Sequence, residues 1–216
     1  PGMTYLVSLD PSMGTGGDFA AIQVFELPTF EQVGEWQHNM TPMNKQVQIL
    51  QGINKHIHDS ILERDASASP QIFYSMENNT IGEAALMRVM DIGEENIMGM
   101  FLSEPIRKGH RRKFRRGFNT TAKHKIDACT KFKELVEGGK MKINSQLLIS
   151  ELKDFVATGM SYKAKPGQHD DLVSSCLLMT RMMKVLADFD PKIFEKWTNR
   201  TSELTTPMPI FGNFYG

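Results

Sequence analysis

The sequence predicts an α/β fold: a mixed central sheet of three antiparallel strands followed by parallel strands, flanked by helices. Two observations carry this expectation. Three short runs of strand formers lie close together in the first 37 residues, a spacing most easily met by an antiparallel meander. After them, long segments with apolar residues at helical spacing alternate with single strand-like runs, the pattern of crossover units with parallel neighbours.

Taken in order, residues 5–9 form an apolar strand that ends on an acid, Asp10, followed by a loop holding Gly14, Gly16 and Gly17. Asp-Pro with glycines is an ordinary turn. A carboxylate at a strand end beside a glycine loop is also a common way to hold a hard cation. Asp18 opens the second strand, residues 19–26, and residues 32–37 form the third. Thr41 reads as an N-cap with Pro42 at the first helical position. Val47, Leu50, Ile53, Ile57 and Ile61 then mark a helix over residues 42–64. His56 and His58 on it read as solvated surface, since no acid shares their face at ligand spacing.

Residues 71–77 are a strand ending on Glu77, and Thr80 with Glu83 predicts a capping box for a helix to about Met90, closed by Gly93. Residues 97–102 read as a further strand. A helix starts at Thr120 or Thr121 with Ile126, Cys129, Phe132, Leu135 and Val136 on one face, and Gly138-Gly139 ends it. Residues 141–143 read as a small strand. Ser145 caps a helix to about Val156 with Leu148, Leu152 and Phe155 as its stripe. After a turn at Pro166-Gly167, His169-Asp170-Asp171 starts a last apolar helix over residues 172–186, with an aperiodic tail from 188 to 216.

The 216 residues are enough for one sizeable core, so one domain with its core over about residues 4–187 is expected. With 40% hydrophobic and 23% charged residues the composition is that of a soluble protein, and no apolar run nears the ~20 residues of a membrane helix. The first apolar segment is short and carries Asp10, unlike a signal peptide. Two isolated cysteines, Cys129 and Cys176, point to a reducing compartment. Net charge is +0, from 25 basic and 25 acidic residues, which argues against a generally basic nucleic-acid coat. No GxxxxGK[ST], CxxC, HExxH or GxSxG is present.

Two constellations carry chemistry. If the first and fourth strands are parallel neighbours, Asp10 and Glu77 share the carboxyl edge of the sheet, where α/β sites lie. Asp18 returns to that edge, and the helix begun by Asp170 and Asp171 can bring a further acid. Crowded carboxylates repel unless cations neutralise them, which points to Mg²⁺ or Mn²⁺. Two such ions, about 3.5–4 Å apart, are a known device for cleaving phosphodiesters. Acids at a helix start also suit the helix dipole alone. The second constellation is RKGHRRKFRR, residues 107–116, where seven of ten are basic: Arg107, Lys108, Arg111, Arg112, Lys113, Arg115 and Arg116. Charge runs are usually solvated loops. This one has a single sign and interleaves His110 and Phe114, and phosphate-backbone contact with little sequence preference is expected.

The order LDPSMGTGGD, YSMENN, GQHDDLVSS resembles the nuclease domain of the large terminase subunit of tailed bacteriophages, most closely the T4-like phages, over roughly residues 4–187. The resemblance implies an RNase H-like (resolvase-like) fold and a metal-dependent endonuclease that cuts concatemeric phage DNA in the host cytoplasm, at the prohead portal. It implies Asp10, Glu77 and one of Asp170 and Asp171, with Asp171 preferred, as catalytic acids, and Asp18 as an additional acid near the metal site. It also implies double-stranded DNA as substrate. Its implied partners are an N-terminal ATPase domain whose P-loop this sequence lacks, the small terminase subunit and the portal. Three alternatives stay open: an RNase H or Holliday-junction resolvase; an actin-like nucleotide binder, since DPSMGTGG also resembles a phosphate loop; and a non-catalytic DNA-binding module.

Overall fold

A computed structural model describes residues 4–105, 116–159 and 161–189. The strands β1 (Thr4–Asp10), β2 (Ala20–Leu27) and β3 (Glu31–His38) form the antiparallel meander. Helix α1 (Met43–Arg64) crosses over to β4 (Gln71–Met76), which lies parallel to β1. Helix α2 (Thr80–Ile92) leads to β5 (Met100–Phe101), parallel to β4. The five strands run in the order β3-β2-β1-β4-β5, the mixed α/β sheet the sequence predicts. Helices α3 (Ala122–Glu137) and α4 (Gln146–Asp154) follow, then a hairpin of β6 (Phe155–Thr158) and β7 (Ser161–Ala164), then α5 (Asp171–Phe189). Among the described residues no helix is long and apolar enough to cross a membrane, and Cys129 and Cys176 are free and buried.

The sheet separates two cores, and strand alternation decides which residue serves which. Val7, Leu9, Ile72, Tyr74 and Met76 face α1 and α2, with Val47, Leu50, Ala85 and Val89 packed on them. Leu6 and Phe25 face the other way, into the core built by α3 and α5 with Phe132, Leu172, Cys176 and Met179. Ser8 shares the α5 face: its Oγ donates to Ser175 O at 2.8 Å, and Ser175 Oγ donates to Ser8 O at 3.0 Å. This reciprocal pair fixes α5 against the middle of β1.

Several local details differ from expectation. Pro42, not Thr41, precedes α1, and it offers no side-chain cap. Asn79 caps α2, accepting from the Gly82 amide at 2.7 Å, so Thr80 is already helical. The short asparagine side chain is pre-formed for that turn, and the threonine lies one residue too late. The strand at 97–102 shrinks to two residues because Glu94–Asn96 form a 3-10 turn that Ile97 closes. Residues 141–143 make only a bridge between Lys142 and Glu31. The helix predicted to Val156 ends at Asp154. Phe155 leaves it to stack on Tyr162 across the β6–β7 hairpin, with centroids 6.1 Å apart. Phe155 packs on the core from the strand, and a single apolar residue at a helix end does not distinguish a last helical turn from the start of a strand.

Candidate active site

Alternation along β1 puts Asp10 on the same sheet face as Leu6 and Ser8, the face α5 covers. β4 runs parallel to β1 with Leu9 opposite Met76, and the next step sets Glu77 beside Asp10. The Glu77 amide donates to Leu9 O at 3.2 Å, so the pairing extends one residue past the strand. Glu77 is then held from below. A Cβ at Gly82 would sit 1.8 Å from Glu77 O, so glycine there lets the first turn of α2 press against the strand end. Asn79, which caps that turn, also donates from Nδ2 to Glu77 Oε2 at 3.1 Å.

The loop after Asp10 is anchored to α1. Gln46 Nε2 donates to Ser12 O at 2.9 Å and to Thr41 O at 2.7 Å. Gly14, at φ +68°, packs so close that a Cβ would lie 2.1 Å from Thr41 O. The glycine loop is thus a packing device as well as a point of backbone access.

The two acids before and at the start of α5 differ in their contacts. Asp170 Oδ2 accepts from the Ala164 amide at 3.3 Å and lies 3.6 Å from Lys125 Nζ. The Asp171 carboxylate takes a hydrogen bond from the Phe19 backbone. Its Oδ2 is buried with no hydrogen-bond partner, 3.5 Å from His169 Nδ1. Asp18 is exposed, close enough to Asp171 to disfavour its charge.

These acids share one field. Burial holds the Asp10 carboxyl well above the usual range, and the Glu77, Asp171 and Asp170 carboxylates raise it further. Burial likewise pushes Asp171 up to about 6. Asp10 and Glu77 line a cleft of about 110 Å³ with Thr120, Lys125, Ser174 and Arg181. Asp170 and Asp171 stand outside that cleft, Asp170 joined to it through Lys125.

Lys125 and Arg181 escaped the sequence reading. Lys125 sits on α3 three residues from its start and also lies 5.6 Å over the Phe155 ring. Arg181 pairs with Glu104 and donates to Thr120 Oγ1 at 2.9 Å and Asn119 O at 3.0 Å, with its guanidinium 5.1 Å over Phe118. A lone basic residue on a helix has no sequence signature; packing alone brings these two to the acids.

Of the basic run, Arg107, Lys108, Arg111, Arg112, Lys113 and Arg115 lie outside the described residues. Arg116 is described: it pairs with Glu94 and stands 5.9 Å over Phe101. Its charge is already matched at the sheet edge beside β5.

Oxygen donors of this type suit a hard divalent cation. The orphaned Asp171 Oδ2 and the mutual repulsion around Asp10 are what such an ion would relieve. Among the described residues, no three His, Cys, Asp or Glu side chains already form a closed ligand group.

The family described as the terminase RNaseH-like domain matches residues 7–182. The chain is similar in fold to the large terminase nuclease from thermophilic phage G20c, at 17% identity and TM-score 0.56 over 83% of this chain and 82% of that one. The G20c nuclease has also been solved with bound magnesium. The Thermus phage P74-26 large terminase nuclease domain is similar at 18% identity and TM-score 0.53, over 82% and 78%. So is the manganese-soaked, inhibitor-bound human cytomegalovirus terminase nuclease domain, at 15% and 0.57 over 83% and 82%. The family match runs through both strands that carry Asp10 and Glu77 and through the start of α5, and the chain belongs to the terminase RNase H-like family.

Proposed function

We propose that this chain is a metal-dependent endonuclease, the nuclease part of a large terminase subunit, which cuts concatemeric double-stranded phage DNA during genome packaging. The observation that carries the reading is the concentration of Asp10, Glu77, Asp170 and Asp171 at one sheet edge, the last three each raising the cost of charge on Asp10. Family membership and nuclease relatives solved with magnesium or manganese support it.

Asp10, Glu77 and Asp171 would hold one or two Mg²⁺ or Mn²⁺ ions, with Asp170 and Asp18 close by. Bound there, such ions polarise the scissile phosphate and lower the pKa of the attacking water. The chain's own residues do the rest. β1 and β4 fix Asp10 and Glu77 on one face, and the buried surroundings strengthen their electrostatic grip. Asn79 orients Glu77. Lys125, beside both the cleft and Asp170, supplies a positive charge toward an incoming phosphate. The basic residues Arg107, Lys108, Arg111, Arg112, Lys113 and Arg115 would hold the duplex backbone. In the intact protein the action would take place in the infected cell's cytoplasm at the portal, with an ATPase domain and a small subunit as partners.

The test is incubation of the chain with supercoiled plasmid, with Mg²⁺, with Mn²⁺ and with chelator. Nicked and linear products that need the metal are expected. Intact plasmid under every condition overturns the reading. Preference for an RNA–DNA hybrid or a four-way junction over plain duplex replaces it with a ribonuclease or resolvase.

A further inference from the structure

The first turn of α5 is capped from outside, and this concerns both acids at its start. Asp170 stands at the N-cap position, where its carbonyl accepts from the Ser174 amide at 2.7 Å. An aspartate there ordinarily turns its carboxylate back onto the amides of the second and third helical residues. Asp170 does not: its Oδ2 takes the Ala164 amide of β7 and faces Lys125. The two helix amides go to Glu151 of α4 instead. Its Oε2 accepts from the Val173 amide at 3.1 Å, and the Leu172 amide donates to the same carboxylate. On its other side, Glu151 Oε1 accepts from Gln37 Nε2 of β3 at 3.0 Å. One side chain therefore ties α4, β3 and the start of α5 together, and it satisfies donors that would otherwise draw in an acid of the cluster.

We propose that Glu151 is a positioning residue for the acid cluster: by capping α5 in place of Asp170, it leaves the Asp170 and Asp171 carboxylates directed to the sheet edge beside Asp10. Without it, the vacant amides compete for Asp170, and the first turn that carries Asp171 loses its tie to β3. Glu151 touches no reacting atom; it acts through the two acids. The inference rests on the nuclease reading for the statement that those acids take up a cation.

The experiment titrates Mn²⁺ into the 216-residue chain without DNA, following the free-ion electron paramagnetic resonance signal. Hydrogen exchange at the Leu172 and Val173 amides is measured alongside. Glu151→Ala should weaken Mn²⁺ uptake by about tenfold to a hundredfold, the usual effect of removing a group that orients a ligand, and should speed exchange at both amides. Glu151→Gln keeps an acceptor oxygen and should lose less. In an Asp171→Asn background the Glu151→Ala penalty should shrink, because the acid it positions has gone. Faster exchange with unchanged Mn²⁺ uptake would make Glu151 a structural cap only and overturn the proposal, as would a full penalty in the Asp171→Asn background. If Glu151→Ala does not fold, wild-type uptake by Glu151→Gln, together with wild-type exchange, overturns it. A wild-type chain that takes up no Mn²⁺ sinks the nuclease reading and this inference with it. Normal wild-type uptake that Glu151→Ala leaves unchanged sinks this inference alone.

Discussion

Gln23 of β2 and Gln32 of β3 are buried polar side chains, and so in large part is Asp10 of β1, but their surroundings differ. Around the glutamines the hydrogen bonds close. Gln32 Nε2 donates to Gln23 Oε1 at 2.7 Å and to Glu35 Oε2 at 3.1 Å. Gln32 Oε1 accepts the Asn144 and Ser145 amides at 2.9 and 2.8 Å, and Ser145 Oγ donates to Glu35 Oε1 at 2.8 Å. At the acid edge the neighbours of Asp10 are Glu77, Asp171 and Asp170, which oppose its charge, and Asp171 Oδ2 is left without a hydrogen-bond partner. A satisfied buried network fixes elements in place; an unsatisfied one needs a further component. The first joins β2 and β3 to the start of α4. The second is where the proposed cation would sit.

Asp10→Asn should break this contrast most strongly. Metal-dependent plasmid cutting should fall by more than about a hundredfold, while the metal-free melting temperature rises because one like charge has gone. Gel assays and calorimetry read the two effects, and cutting at the wild-type rate would remove the acid edge as the site. Next in size is the loss of the basic side chains proposed to hold the duplex. Replacing Arg107, Arg111, Arg112 and Arg115 together by Ala should flatten the salt dependence of log K by about three to four, at ~0.9 per phosphate contact. Arg116 is left in place because Glu94 already pairs it. Binding on two unrelated duplexes in Ca²⁺ gives the slopes, and unchanged slopes would mean that the duplex docks elsewhere.

The glutamine cluster should respond in the opposite sense. Gln32→Ala strands the Asn144 and Ser145 amides and should cost about 2 kcal/mol of stability, read by urea unfolding, with Mn²⁺ affinity unchanged. A matching drop in Mn²⁺ affinity would show that the two clusters are not independent.

The mildest expected effect is on pH. Burial raises Asp171 to about 6 and Glu151 to about 7, so the folded state keeps protons that the unfolded chain has released. Their contribution to stability is complete below about pH 4 and is lost as pH rises through 6 and 7. The metal-free melting temperature should therefore decline from pH 5 to 8, and Mn²⁺ should offset the part due to Asp171, since binding displaces its proton. Glu151→Gln or Asp171→Asn should flatten the profile. A metal-free melting temperature that climbs across this window contradicts the assignment.

The sequence by itself determined the antiparallel meander followed by parallel strands and the strand-end positions of Asp10 and Glu77, because both follow from local rules; that β1 and β4 are neighbours was a condition that the structure met. Alternation sets the face of each strand residue, and a long crossover helix makes β4 parallel to β1. Ser145 as the cap of α4 was legible for the same reason, since a cap contacts its own next turn, and so was a threonine at 120 or 121 as the start of α3, of which the structure selects Thr121. Only the tertiary structure decided how Asp170 and Asp171 differ, since adjacent residues of one type have no distinguishing pattern until Lys125, Ala164 and Phe19 surround them. It also revealed Glu151, whose partners Val173 and Gln37 lie 22 and 114 residues away. Capping by a distant side chain, and the burial that raises a carboxyl pKa, depend on how helices pack on the sheet, and no window of sequence contains that packing.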